Sequence, residues 1–231
     1  MLLDGSGTRA RRGGLAALAW RAAVSGAVER PAATRSGMST AGGSFTGAVL
    51  AGGEARRMGR NKALFRVDGE PLWRRQVRVL REAGADSVVV VRREGHRSLG
   101  RDVPQVHDRF PDAGPLAGVE AALTGAHADW VAVLAVDMPA VEASWFEGLR
   151  KFCGAGVGAV ARHAGGYEPL AAIYPREALQ LVTARLERGE GSMQALVIAL
   201  VRVRRLRVVN LKSSDLWQME NWNTPGDRRR K

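Results

Sequence analysis

Thr46-Gly-Ala-Val-Leu50-Ala51-Gly52-Gly53-Glu-Ala-Arg56-Arg57-Met58-Gly59-Arg-Asn-Lys62 is the most informative stretch of this 231-residue chain. Its first part is a short apolar run that stops at two glycines, the pattern of a strand entering a tight loop. The second part places glycines at 52, 53 and 59 among the cations Arg56, Arg57 and Lys62. Glycines let backbone N–H groups approach an anion without a Cβ in the way, and neighbouring cations offset its charge. The loop has neither the Gly-Lys-Ser/Thr ending of a Walker A motif nor the Gly-x-Gly-x-x-Gly of a dinucleotide site. Two readings stand: a polyphosphate-binding loop at the carboxyl end of a first strand, and a glycine-rich turn with solvated arginines.

Downstream, apolar segments alternate with amphipathic ones. Pro71 to Ala83 predicts a helix with a basic outer face (Arg74, Arg75, Arg78, Arg81) and an inner face of Leu72, Trp73, Val77 and Leu80, ended by Gly84. Ser87 to Val91 and Trp130 to Val136 predict strands buried on both faces, and Gln105 to His107 a short strand. Pro115 to Ala126, Glu142 to Phe152 and Arg176 to Arg188 predict helices, and Ser192 caps another that runs to about Leu200. Val157 to Arg162 and Ala171 to Tyr174 are strand-like, and Arg202 to Val209 alternates basic and apolar residues as an edge strand does. Strands alternating with helices predict an α/β fold: a Rossmann-like, mostly parallel sheet with helices on both faces.

The net charge of +12 invites a nucleic-acid reading, and its distribution argues against one. Residues 1–45 hold six arginines against Asp4 and Glu29, and the tail Arg228-Arg-Arg-Lys231 is wholly basic, so most of the excess lies at the two ends. No basic stripe interleaved with stacking aromatics occurs. A single cysteine, Cys153, excludes a disulfide framework and any cysteine-based metal cluster, and it is expected to be inert. The four histidines are scattered, and no apolar run is long enough to span a membrane. Residues 1–45, rich in Ala, Gly, Ser and Arg, are expected to be a disordered leader, with Met38 a candidate true start. The domain is expected to occupy 46–227 and a frayed basic tail 228–231, in a cytoplasmic protein.

Two carboxylates fall on the edge that carries the first loop. Asp137 follows the six apolar residues Val131 to Val136, and a carboxylate there is poorly solvated unless paired or metal-bound. One carboxylate plus substrate phosphates is a usual way to hold Mg²⁺; the plainer reading is a cap on the next helix. Asp108 ends the third strand before the loop Arg-Phe-Pro-Asp-Ala-Gly114-Pro115-Leu-Ala-Gly118. It suits acceptance from a ribose hydroxyl or a guanine amine, or a loop cap. Glu168-Pro169-Leu170 precedes a strand and reads either as site support or as a turn.

Leu50-Ala-Gly-Gly…Arg57-Met58-Gly59…Lys62, Asp108…Gly114-Pro-Leu-Ala-Gly118, Asp137-Met-Pro139, Glu168-Pro-Leu170 and Asn221-Trp-Asn223-Thr-Pro-Gly-Asp227 together resemble, in order and spacing, the MobA-like nucleotidyltransferases. The likeness covers about residues 46–227, and within the family it is to the members that guanylylate molybdopterin. It implies transfer of GMP from GTP to molybdenum-bound molybdopterin with Mg²⁺, release of pyrophosphate, and transient contact with molybdoenzyme maturation factors. It implies that Leu50, Ala51, Gly52, Gly53, Val91 and Asp108 line the nucleotide. Arg57 and Lys62 would sit on the triphosphate, Asp137 would hold the metal, and Glu168, Asn221 and Asn223 would face the acceptor. Where well-known members carry an Asn that touches the nucleotide, this chain has Val91 followed by Arg92 and Arg93, so a backbone group or Arg92 is expected to replace it. Gly52, where cytidylyl relatives commonly carry Ala, is expected to leave room for a purine edge. The same-fold alternatives are a molybdopterin cytidylyltransferase and a sugar-1-phosphate nucleotidyltransferase. A further alternative is a non-catalytic adaptor that binds GTP or molybdopterin.

Overall fold

The computed structural model describes residues 43–52, 54–55, 60–95, 98–110, 112–211 and 213–219. Residues 1–42 of the expected leader at 1–45, the tail 228–231, and the candidates Gly53, Arg57, Asn221 and Asn223 lie outside them, while Phe45 already opens the first strand. Strand β1 (Phe45–Leu50) is followed by two hairpins of two-residue strands, β2 (Glu54–Ala55) with β3 (Arg60–Asn61), and β4 (Arg66–Val67) with β5 (Glu70–Pro71). Then come α1 (Leu72–Glu82), β6 (Ser87–Arg92), β7 (Gln105–His107), α2 (Pro115–Gly125), β8 (Trp130–Ala135) and α3 (Ala143–Arg150). The last elements are β9 (Gly158–His163), β10 (Gly166–Pro175), α4 (Leu179–Glu187), α5 (Met193–Arg202) and β11 (Leu206–Asn210).

Seven strands form one sheet in the order β11-β9-β10-β8-β1-β6-β7. β1 is parallel to both β6 and β8, β6 to β7, and β11 to β9; β10 runs antiparallel to β8 and β9. The mostly parallel prediction therefore holds, with one reversed strand inside the sheet. Alternate residues of β1 and β8 feed two cores. Phe45, Val49, Trp130 and Leu134 pack with Leu72, Val77 and Leu80 of α1 and Phe146 of α3. Ala48, Leu50, Val131 and Val133 pack with Leu116 and Val119 of α2, Val182 of α4 and Leu196 of α5. Burial on both faces is why these strands read as unbroken apolar runs. The chain builds outward from β1 to β6 and β7, then returns to place β8 on the other side of β1. That reversal opens a crevice at the carboxyl ends of the central strands.

Several boundaries differ from the sequence reading. Glu168-Pro169-Leu170 does not precede a strand; it lies inside β10, across a register shift between Glu168 and Ile173. Proline cannot donate to a ladder, and in an internal strand it is tolerated at such an irregularity. Arg202 ends α5 rather than opening a strand, and the edge strand begins only at Leu206. Arg176–Ala178 form a 3₁₀ turn before α4. Ser192 caps α5 as expected, its Oγ accepting from the amide of Ala195.

Candidate active site

The crevice at the carboxyl edge is a cavity of about 240 Å³. The ends of three neighbouring strands form its floor, through Leu50, Val91 and Ala135. Its walls include Gly52 from the first loop, Asp108 and Gly114 from the loop after β7, and Leu170 from β10. Two backbone bonds fix the first turn: Ala51 donates to the Val91 carbonyl at 2.8 Å, and Val136 donates to that of Leu50 at 3.1 Å. The glycine-bearing loop and the Asp137 loop therefore leave the sheet side by side.

Lys62 opens a 3₁₀ turn after the first loop, and its Nζ donates to Asp137 Oδ2 at 3.1 Å. The two side chains, 13% and 25% exposed, are largely buried in the lining of the cavity. Residues 75 positions apart thus meet in the lining of the crevice as an ion pair, a cation beside a carboxylate. Glu168, on β10, interacts electrostatically with the Asp137 carboxylate. Its carboxyl is raised above the usual range mainly by burial and further by the Asp137 carboxylate, against a lowering hydrogen bond from the Leu170 amide. A cation near both carboxylates relieves that repulsion. Among the described residues no cluster of three or more His, Cys, Asp or Glu can hold a metal by itself. The donor set therefore fits a hard cation that brings phosphate oxygens and water as its other ligands, rather than a resident metal centre.

Val91, in place of the expected Asn, is buried and contributes an apolar wall. The next residue, Arg92, is also buried, and its Nη2 lies 3.0 Å from His107 Nε2. Burial lowers the pKa of Arg92; burial and the Arg92 charge lower that of His107. Arg93, named in the sequence only as a neighbour of Val91, lines the crevice and pairs with the exposed Asp112 at 2.8 Å. A Cβ on Gly52 meets Arg93 Cγ and N at 3.5 Å, ordinary contact, so an alanine fits there without moving the fold. Gly118 is tighter: its Cβ would lie 3.1 Å from Leu50 Cδ2, which is why α2 approaches the crevice floor so closely. The loop after β7 is tied down by Glu120 of α2, fully buried, which accepts from Arg109 and from the hydroxyls of Thr124 and Thr183. Glu120 left no signal in the sequence, because a lone Glu in an apolar helix looks like an ordinary solvated position. Cys153 is half-buried and its thiol is pushed up to about 12, chiefly by burial, so it supplies no thiolate at neutral pH.

An open α/β sheet with a crevice at its reversal point, lined by a lysine paired to a carboxylate, is the arrangement of a nucleotidyltransferase with a Rossmann-like fold. Residues 47–203 match the model of the MobA-like NTP transferase domain, and the chain belongs to that family. It is 60% identical over 196 residues, 84% of this chain and 97% of the relative, to a probable molybdenum cofactor guanylyltransferase of Opitutus terrae. It is 34% identical over 182 residues, 77% of this chain and 92% of the relative, to a molybdenum cofactor guanylyltransferase of Pseudomonas entomophila. Among solved structures, molybdopterin-guanine dinucleotide biosynthesis protein A from Archaeoglobus fulgidus shares the fold, with a TM-score of 0.62, 24% identity, and cover of 80% of this chain and 95% of that one.

Proposed function

We propose that this protein transfers the GMP moiety of GTP to the terminal phosphate of molybdenum-bound molybdopterin, forming molybdopterin guanine dinucleotide and releasing pyrophosphate. The observation that carries the reading is the Lys62–Asp137 pair in the lining of the crevice at the carboxyl edge of the sheet. The names of the two curated relatives supply the base and the acceptor.

In this reading an acceptor phosphate oxygen attacks the α-phosphorus of GTP. The α–β phosphoanhydride bond breaks, and its electron pair leaves on pyrophosphate. A phosphate nucleophile is already ionised at neutral pH, so no general base is required, in keeping with a crevice whose described lining contains no histidine. The task is to bring two polyanions together in line, which is a matter of positioning and charge. Leu50, Ala51, Gly52, Gly53, Val91 and Asp108 hold the nucleoside and its nearest phosphate. Lys62, with Arg57 from the first loop, takes the charge of the β- and γ-phosphates. Asp137 would hold Mg²⁺, which when bound would supply positive charge beside the phosphates. Glu168, Asn221 and Asn223 are assigned to binding the acceptor. The catalytic domain is assigned to residues 46–227, and the protein to the cytoplasm, with product passing to molybdoenzyme maturation factors.

The test is pyrophosphate release with each of the four nucleoside triphosphates and Mg²⁺, with and without molybdenum-bound molybdopterin. Release with GTP that depends on the acceptor is the expected result. A preference for CTP would reassign the enzyme to cytidylyl transfer, and GTP binding without any turnover would make it an adaptor.

A further inference from the structure

Gln76 occupies a place that the inner face of α1 should give to an apolar side chain. It lies between Leu72 and Leu80 on the stripe facing the sheet, and it is fully buried. Burying an amide costs free energy unless its polar atoms find partners. Gln76 spends its Nε2 on two backbone carbonyls, that of Ala135 at 3.2 Å and that of Met138 at 2.7 Å. Both partners are acceptors, so only the amino end of the amide can face them, and its orientation is fixed by chemistry. Its Oε1 has no hydrogen-bond partner among the described residues. An arrangement that leaves an acceptor buried to hold two carbonyls is costly for mere helix–sheet packing, which a leucine would serve better.

The two carbonyls bracket Val136 and Asp137. Arg75, the preceding residue of α1, donates its Nε to the Pro139 carbonyl at 2.8 Å, and the Val136 amide is bonded to Leu50 at 3.1 Å. Hydrogen bonds to its main chain thus hold the segment at 135, 136, 138 and 139, three of the four positions through side chains of α1, while the side chain of Asp137 reaches Lys62. We infer that Gln76 is a positioning residue for the reaction: with Arg75 it fixes the loop that aims the Asp137 carboxylate at the nucleotide-borne metal. The inference rests on the function proposed above.

The test measures Mn²⁺ binding in the presence of GTP, by the loss of the free-ion electron paramagnetic resonance signal beyond that caused by GTP alone, on the full chain and four variants whose folding is checked by circular dichroism. Partners that orient a metal ligand typically contribute 10- to 100-fold in affinity, so Gln76→Leu should raise the Mn²⁺ dissociation constant about 10-fold or more. Arg75→Ala, at a partly exposed position, should raise it by less. Val182→Ala, a cavity on α4 in the other core, should lower the melting temperature and leave the constant unchanged. A folded Gln76→Leu with the parent constant, or an equal rise in Val182→Ala, would overturn the inference. If Gln76→Leu does not fold, an unchanged constant in Arg75→Ala overturns it. If the parent protein binds no Mn²⁺ with GTP, or Asp137→Ala binds it equally well, the proposed function falls first and the role of Gln76 with it.

Discussion

Asp137 is the residue on which the proposed chemistry turns. Its carboxylate sits within 3.1 Å of Lys62 in the lining of the crevice, and a preorganised charge of this kind commonly supplies 10²-fold or more in rate. Asp137→Ala should therefore lower turnover on the order of 10²-fold or more with folding intact, read as initial rates of pyrophosphate release. Near-normal rates would remove Asp137 from the mechanism. Gly52 makes a second test at this scale. Its added methyl finds ordinary contact with Arg93, so Gly52→Ala should fold like the parent and change only the ligand. We expect the variant to lose preference for GTP over CTP in competitive assays, and retained preference would place base selection elsewhere. Lys62 and Asp137 were legible in the sequence because a carboxylate ending a six-residue apolar run, and a lysine closing a glycine-rich loop, both violate the local pattern. Gln76 and Glu120 were not, since a polar residue on a helix is ordinary until the partners that bury it are known.

At the scale of elements, β10 carries most of what the sequence concealed. Pro169 made Glu168-Pro169-Leu170 look like a turn, and only the pairing with β9 reveals a strand running from Gly166 to Pro175 with a register shift in it. Tyr174, fully buried, closes that irregularity by donating its hydroxyl to the Pro169 carbonyl at 2.8 Å. The same shift sets Glu168 close enough to Asp137 for their charges to interact. Tyr174→Phe leaves a buried carbonyl without its donor, so the denaturation midpoint should fall by the equivalent of about 1–3 kcal/mol. An unchanged midpoint would mean that the bulge holds itself. The helices were easier to read, because amphipathic spacing and a serine cap leave local marks. Their ends were less so, as the 3₁₀ turn at Arg176–Ala178 and the extension of α5 to Arg202 illustrate.

For the molecule as a whole, the alternation of elements was enough to predict a mostly parallel sheet, but not the reversed strand, whose direction depends on pairings distant in sequence. The net charge of +12 is a poor guide to function here, because much of it lies in segments outside the described fold. The crevice is instead a local arrangement at the topological reversal, and its capacity to grip a nucleoside triphosphate is the claim everything else requires. Thermal unfolding with and without ligand tests it most directly, since a ligand at 100 times its dissociation constant stabilises the fold by about 2.7 kcal/mol, which is several degrees for a chain of this size. GTP with Mg²⁺ should raise the melting temperature of the parent protein by about 5 °C or more, and should do so far less in Lys62→Ala and Asp137→Ala. Equal rises in all three proteins, or none in the parent at saturating GTP, would contradict the account.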